Sequence, residues 1–139
     1  MNVLVDTSVW SLSLRRAARD LNDHERRIVR ELTELISEGR AHLMGLIRQE
    51  VLSGIRSPAQ FDKLRALLRS FVDVAIDTAD YETAARASNQ CRSKGVTVSV
   101  VDCLICTTAQ NRDWAIFTID TDFETIAALL PLILHKPRA

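Results

Sequence analysis

Five acidic residues in this chain sit where apolar residues would be expected. Asp6 closes the run Val3-Leu4-Val5, and Glu50 lies between Ile47 and Val51. Asp102 interrupts Val100-Val101 and Cys103-Leu104-Ile105, and Asp120 and Asp122 follow the stretch ending at Ile119. Carboxylates gathered in an apolar cleft repel one another and cannot all stay ionised without a positive charge among them. An all-oxygen, acid-rich set is the donor set of Mg²⁺, with Mn²⁺ able to substitute. Such an ion polarises a phosphoryl oxygen and lowers the pKa of water, so hydrolysis of a phosphodiester is the chemistry these residues suggest. Each acid also has a plain structural account. Asp6 suits the cap of a Thr7-Ser8 turn, Asp102 the cap partner of Ser99, and Asp120 or Asp122 the cap of the segment carrying Phe123. What favours a shared site is their joint occurrence at the ends of apolar runs.

The elements that would position them alternate between strand-like and helix-like patterns. Asn2 to Val5 is a short apolar run rich in β-branched residues, of the kind buried on both faces of a parallel sheet. From about Asn22 to Glu38, Ile28, Val29, Leu32, Leu35 and Ile36 recur at helical spacing, with Asn22 or Asp23 to cap and Gly39 to stop. His42 to Gly45 reads as a second strand, followed by a helix holding Ile47, Val51 and Leu52. Pro58 suits the first turn of a helix carrying Phe61, Leu64, Leu67 and Leu68. Phe71 to Ile76 alternates as a strand. Thr78 is placed to cap a helix whose inner face of Ala84, Ala85, Ser88 and Cys91 is made of small residues, with Gly95 at its end.

Ser99 and Asp102 resemble a capping box opening a helix to about Asn111. Trp114 to Ile119 reads as a strand, Phe123 to Leu130 as a short helix, and Leu132 to Leu134 as a last strand. Strands alternating with helices predict a single α/β domain over residues 1–139, a three-layer sandwich with a central, mainly parallel sheet of about five strands. In such a sheet the junctions leaving the carboxyl ends of the strands open on one edge, and all five acids fall at those junctions or in the first turn beyond.

Composition narrows the alternatives. The 139 residues are 47% hydrophobic with four Gly and three Pro, which excludes a disordered chain. No apolar run is long enough to span a membrane, and the first residues lack a basic leader and a cleavage site, so a cytoplasmic location without membrane contact is expected. Cys91, Cys103 and Cys106 are an odd number, against a disulfide framework, and the lone C-x-x-C falls in an apolar run where both thiols read as small core residues. His24, His42 and His135 are scattered and read as surface or capping residues. Aromatic residues, at 5%, are too few for a base-stacking platform, and Trp10 and Trp114 read as packing residues.

The acid-bearing segments carry a specific likeness. Val3-Leu4-Val5-Asp6-Thr7-Ser8-Val9-Trp10, Arg48-Gln49-Glu50-Val51-Leu52, Ser99-Val100-Val101-Asp102-Cys103-Leu104-Ile105 and Phe117-Thr118-Ile119-Asp120-Thr121-Asp122-Phe123 resemble, in order, the four motifs of PIN-domain ribonucleases, in particular VapC-type toxins of bacterial toxin–antitoxin modules. The resemblance implies a Mg²⁺-dependent endoribonuclease with Asp6, Glu50, Asp102 and Asp120 as its acidic quartet, Asp6 and Asp102 being the foremost direct ligands. Asp120 is favoured over Asp122 because it follows the strand more closely, leaving Asp122 as an auxiliary ligand or a cap. Ser8 and Thr118 fall where the family carries small polar residues that support the carboxylates. A homodimer neutralised by a small VapB-like antitoxin is implied as well, with RNA as substrate. Two other readings remain open: a housekeeping PIN nuclease of RNA processing, and a catalytically silent PIN-fold binding module. A phosphohydrolase of the haloacid-dehalogenase kind needs D-x-D after the first strand, where this chain has Asp6-Thr7-Ser8.

Eighteen basic residues balance eighteen acidic ones, and fifteen of the basic residues are Arg, the residue suited to bidentate phosphate contacts. Arg15, Arg16 and Arg19 follow the first motif and Arg48 precedes Glu50, which makes these four the candidate contacts to RNA or an antitoxin. Setting the five cleft acids aside leaves thirteen acids against eighteen basic residues, so the neutral total describes an acidic pocket within a modestly basic shell.

Overall fold

Val3, Leu4 and Val5 are each completely buried. Successive strand residues point to opposite faces, so burial of three in a row requires helices on both sides of the sheet. The computed structural model, which describes residues 1–139, has that arrangement. Its order is β1 (Val3–Val5), α1 (Thr7–Arg15), a 3-10 turn (Ala18–Asp20), α2 (Asp23–Ser37), β2 (Ala41–His42), α3 (Gly45–Leu52), α4 (Pro58–Leu68), α5 (Thr78–Ser93), α6 (Val100–Asn111), β3 (Ala115–Phe117) and α7 (Asp122–Ala127). The sheet runs β2-β1-β3 with every pair parallel, Val3 lying opposite both Ala41 and Ala115. Parallel pairing demands crossovers, which α1 and α2 supply between β1 and β2, and α3 to α6 between β2 and β3.

The α/β class stands, but the sheet has three strands where about five were expected. The two missing ones survive as single parallel bridges at its edges, Leu43 with Asp73 and Ile116 with Leu134. The Phe71–Ile76 segment does not extend its pairing because arginine side chains take its carbonyls. Arg48 Nη2 donates to Phe71 O at 2.7 Å and Arg112 Nη2 to Ala75 O at 2.7 Å. Guanidinium groups thus replace a strand partner.

Helix α1 was not anticipated, since Thr7, Ser8, Ser11 and Ser13 dilute its apolar stripe and are residues that compete with helical hydrogen bonds. It forms because Asp6 caps it, its side chain accepting from Ser8 N, and because Val9, Trp10 and Leu12 are buried. The Trp10 indole donates to Val5 O at 3.1 Å, tying the helix to the strand it leaves. Helix α2 begins with a reciprocal box between Asn22 and Glu25. Helix α5 is capped by Asp77 and not Thr78, in a second reciprocal box with Asp80. Its buried positions include Ala87 and Cys91 while Ala85 faces solvent. The small face lets α6 approach closely enough for Cys103 Sγ to donate to Ala84 O at 3.1 Å. All three cysteines are free and buried, as their apolar context implied.

Two acids that the sequence does not single out are core residues. Glu31 is 2% exposed and accepts from Arg138 Nε at 2.9 Å, with Arg138 N and Nη2 also on it. Burial pushes its carboxyl up, but the bonds from Arg138, with the His135 imidazole 3.4 Å away, outweigh burial and hold it below the usual range. Arg138 also reaches Glu38 at 2.8 Å, so the end of the chain is strapped to α2. Asp80, also 2% exposed, accepts from Arg112 Nη1 and Nη2 at 2.9 Å each and from Asn111 Nδ2 at 3.0 Å. His42 and His135 are not surface residues either. His42 stacks on Trp114 with ring centroids 4.2 Å apart, and His135 meets the edge of Phe117 at 5.2 Å.

The Arg112 bonds hold the Asp80 carboxyl well below the ordinary carboxylate range. A depressed folded-state pKa gives stability that is present above about pH 4 and lost as pH falls through the folded value. Asp80→Asn leaves Arg112 without its counter-charge and should cost about 2–3 kcal/mol at pH 7 in urea unfolding, with a shallower loss of stability below about pH 4 than in the wild type.

Candidate metal centre

Asp6 sits one residue beyond β1 and is 5% exposed. Its backbone N–H still joins the sheet, donating to Phe117 O at 2.9 Å, so the carboxylate is placed by the strand pairing itself. Oδ2 accepts from Ser8 Oγ at 2.8 Å, Thr118 Oγ1 at 2.9 Å and Ser8 N at 3.4 Å. All of these bonds fall on one oxygen, leaving Oδ1 for another partner. The two hydroxyls in turn fix the loop beyond β3: Ile119 N donates to Ser8 Oγ at 3.1 Å and Asp120 N to Thr118 Oγ1 at 3.0 Å. Asp120 Oδ1 then accepts from Asp122 N at 3.0 Å, turning the chain into α7. A single cradle thus links β1, α1, the end of β3 and the start of α7.

Asp102 lies in the first turn of α6, where its N–H donates to Ser99 Oγ at 3.0 Å. Carboxylate oxygens of Asp102, Asp120 and Asp122 lie within 4.8 Å of one another. Burial raises the Asp102 pKa, and the charges of Asp6, Asp120 and Glu50 raise it further, while the Ser99 hydroxyl pulls the other way. Asp102, Asp120 and Asp122 thus converge from two separate segments, while Asp6 and Glu50 lie outside that close group and act on Asp102 through their charges. Glu50, on the exposed side of α3, is the loosest member, its carboxylate accepting only from Thr7 Oγ1 at 3.1 Å. Thr7 was missed in the sequence because it stands between two residues with more obvious parts to play. The choice between Asp120 and Asp122 does not arise geometrically, since both carboxylates reach Asp102.

None of the five acids is paired with a basic side chain, although Glu31, Asp73 and Asp80 elsewhere all have arginine partners. An acidic cluster with an all-oxygen donor set and no protein counter-charge fits a hard divalent cation. The cluster opens on both sides. One cleft runs from Val96 and Ser99 past Asp102 to Asp122 and Thr125, and another is bounded by Thr7, Leu46, Glu50 and Val101.

The basic candidates separate. Arg15 ends α1 and lines a groove with Ser8, Ser11 and Ile119, so it stands beside the cradle with no ion-pair partner. Arg16 lines the same groove, but its guanidinium is held by Glu25 Oε2 at 2.8 Å and Asp20 O at 3.1 Å. Arg19 is exposed, 4.0 Å from Asp20. Arg48 is committed to the fold: Nε donates to Asp73 at 2.9 Å, Nη1 to Leu68 O at 2.9 Å and Nη2 to Phe71 O. Its donors bind the chain where contact with RNA or an antitoxin was expected, because the carbonyls following α4 have no strand partner.

A family model described as the PIN domain matches residues 3–129. A search of curated proteins finds no match. Among solved structures, FitAcB from Neisseria gonorrhoeae is 21% identical with a TM-score of 0.75, covering 96% of this chain and 96% of its own. VapBC2 from Rickettsia felis, bound to a DNA fragment from its promoter, is 14% identical at a TM-score of 0.72, covering 97% and 98%. A toxin–antitoxin complex from Klebsiella pneumoniae is 17% identical at 0.62, covering 86% and 88%. At such identities the likeness is one of fold.

Repulsion at Asp102 makes a stability prediction independent of any reaction. In metal-free buffer Asp102→Asn should raise the thermal midpoint by about 3 °C, equivalent to ~1 kcal/mol in a chain of this size. Mg²⁺ or Mn²⁺ should raise the wild-type midpoint and leave the variant's close to its metal-free value. A wild-type midpoint indifferent to both ions would mean that the acids hold no cation.

Proposed function

The chain belongs to the PIN-domain family, and from that premise we propose that it is a metal-dependent endoribonuclease, the toxin of a toxin–antitoxin module. The observation that carries this reading is the meeting of the unpaired carboxylates of Asp102, Asp120 and Asp122, with the charges of Asp6 and Glu50 acting on the same group. Asp6 and Asp102 would hold a Mg²⁺ or Mn²⁺ ion, with Asp120, Asp122 and Glu50 completing its acidic surroundings. When bound, such an ion supplies a Lewis acid for the phosphoryl oxygen and lowers the pKa of water.

The chain's own residues supply the rest. Ser8 and Thr118 hold Asp6 in one orientation through Oδ2, so its free oxygen needs no reorganisation before use. Glu50 stands at the exposed margin of the cleft, where a carboxylate can accept the proton of an attacking water and keep that water aimed at phosphorus. Arg15, which lines a groove together with Ser8 and Ile119, has a free guanidinium for the phosphate backbone on either side of the scissile bond. A polyanion drawn to the basic shell thus meets the acids only where a cation sits between them.

The toxin assignment is supported by the fold shared with chains of VapBC2, FitAcB and the Klebsiella pneumoniae toxin–antitoxin complex. A VapB-like antitoxin covering the cleft, and a homodimer, belong to the same proposal. No helix is long and apolar enough to cross a membrane.

The test is cleavage of structured RNA by the purified, partner-free chain. Cleavage should require Mg²⁺ or Mn²⁺, stop with a chelator, and fall by about a hundredfold or more in Asp6→Asn and Asp102→Asn. Absence of cleavage with either ion, or full activity in both variants, would overturn the assignment. Arg15→Ala should raise KM with little change in kcat, the signature of lost ground-state binding.

A further inference from the structure

The turn leaving β1 sends three consecutive side chains to two different destinations. Asp6 and Ser8 face the end of β3 through Thr118 and Ile119, and both are used by the cradle already described. Thr7 turns the other way. As the first residue of α1 it has no preceding helical turn whose carbonyls its hydroxyl could take, and Oγ1 reaches across to Glu50 Oε1 on α3 at 3.1 Å.

Glu50 has reason to need such a partner. It is an exposed side chain with three rotatable bonds, and no other protein group bonds its carboxylate. Its fellow acids are fixed by burial, by hydroxyls or by helix starts. Thr7, by contrast, is β-branched and partly buried, and its χ1 is restricted by the helix it begins. The stiffer residue therefore sets the position of the looser one. With Oε1 bound to the hydroxyl, Oε2 has no protein partner, and Glu50 lines a cleft with Thr7, Leu46, Gln49 and Val101.

We propose that Thr7 is a positioning residue for Glu50, using its hydroxyl to hold that carboxylate at the margin of the acidic cluster so that it contributes to the binding of a divalent cation. This rests on the reading of the cluster as a metal centre. It assigns the hydroxyl at position 7 a part distinct from that of Ser8, which acts on Asp6.

The experiment is a Mn²⁺ titration of the full, partner-free chain followed by the loss of the free-ion electron paramagnetic resonance signal. Unfolding curves for each variant serve as a check on the fold. Thr7→Val, which removes the hydroxyl and keeps the shape, should weaken Mn²⁺ binding about fivefold, the scale of one lost hydrogen bond. Thr7→Ser should restore it. In a Glu50→Gln background, Thr7→Val should add no further loss, because a residue acting through Glu50 has nothing left to position. Unchanged affinity in Thr7→Val, failure of Thr7→Ser to restore it, or the same fivefold loss in both backgrounds would overturn the proposal. So would Mn²⁺ binding indifferent to Glu50→Gln. If Thr7→Val binds normally while Asp102→Asn does not, the metal centre stands and only the role of Thr7 fails. If the wild type binds no Mn²⁺, the reading of the site fails with it.

Discussion

Asp6 cannot withdraw from Asp102. Its backbone is bonded to β3, its carboxylate is fixed by Ser8 and Thr118, and it is buried at the end of the central strand. The helix carrying Asp102 starts beside it, so the repulsion between the two is built into the packing of α6 on the sheet and persists as long as the fold does. A group placed this way is ready for a cation without moving, and without one it weakens the folded state. The hydroxyls of Ser8 and Thr118 soften the burial of Asp6 without neutralising its charge.

The molecule treats its other buried acids differently. Glu31 and Asp80 are buried among the core residues, yet each is held by an arginine, Arg138 and Arg112. Those pairs join distant parts of the chain: Glu31 anchors Arg138 near the C-terminus, and Asp80 ties the start of α5 to the end of α6. Acids that serve the fold are matched by guanidinium groups, and acids at the sheet edge are not. This contrast separates a functional cluster from a structural one more clearly than burial does, since Glu31 is more buried than Asp6.

Much of this was legible in the residue order. β1 could be read from Asn2 to Val5, α2 from its apolar repeat and the Asn22 cap, α4 from Pro58, and the parallel sheet from the alternation of elements. Other features were not legible because they depend on distant partners. The Phe71–Ile76 alternation is that of a strand, and only the arrival of Arg48 and Arg112 at its carbonyls limits it to one bridge. Glu31 has the local pattern of a solvated helix face until the last residues of the chain fold over it. Arg48 looked like a cleft residue by its neighbourhood to Glu50, but its side chain leaves α3 on the side facing Asp73. Helix α1 was hidden by its own serines.

The sequence by itself determined which residues carry negative charge at the ends of apolar runs, and with that the α/β class and the kind of chemistry the acids suit. These are properties of residue type and spacing, which strand and helix periodicity express directly. Only the tertiary structure decided how the charges combine. It brought Asp120 and Asp122 together against Asp102, turned Thr7 toward Glu50 and Ser8 toward Asp6, and spent Arg48 and Arg112 on the backbone. The reason is that a carboxylate's environment is set by whatever packs within a few ångströms of it, and for these acids that includes, beside near neighbours such as Ser8 and Ser99, groups far away in the chain such as Thr118 against Asp6.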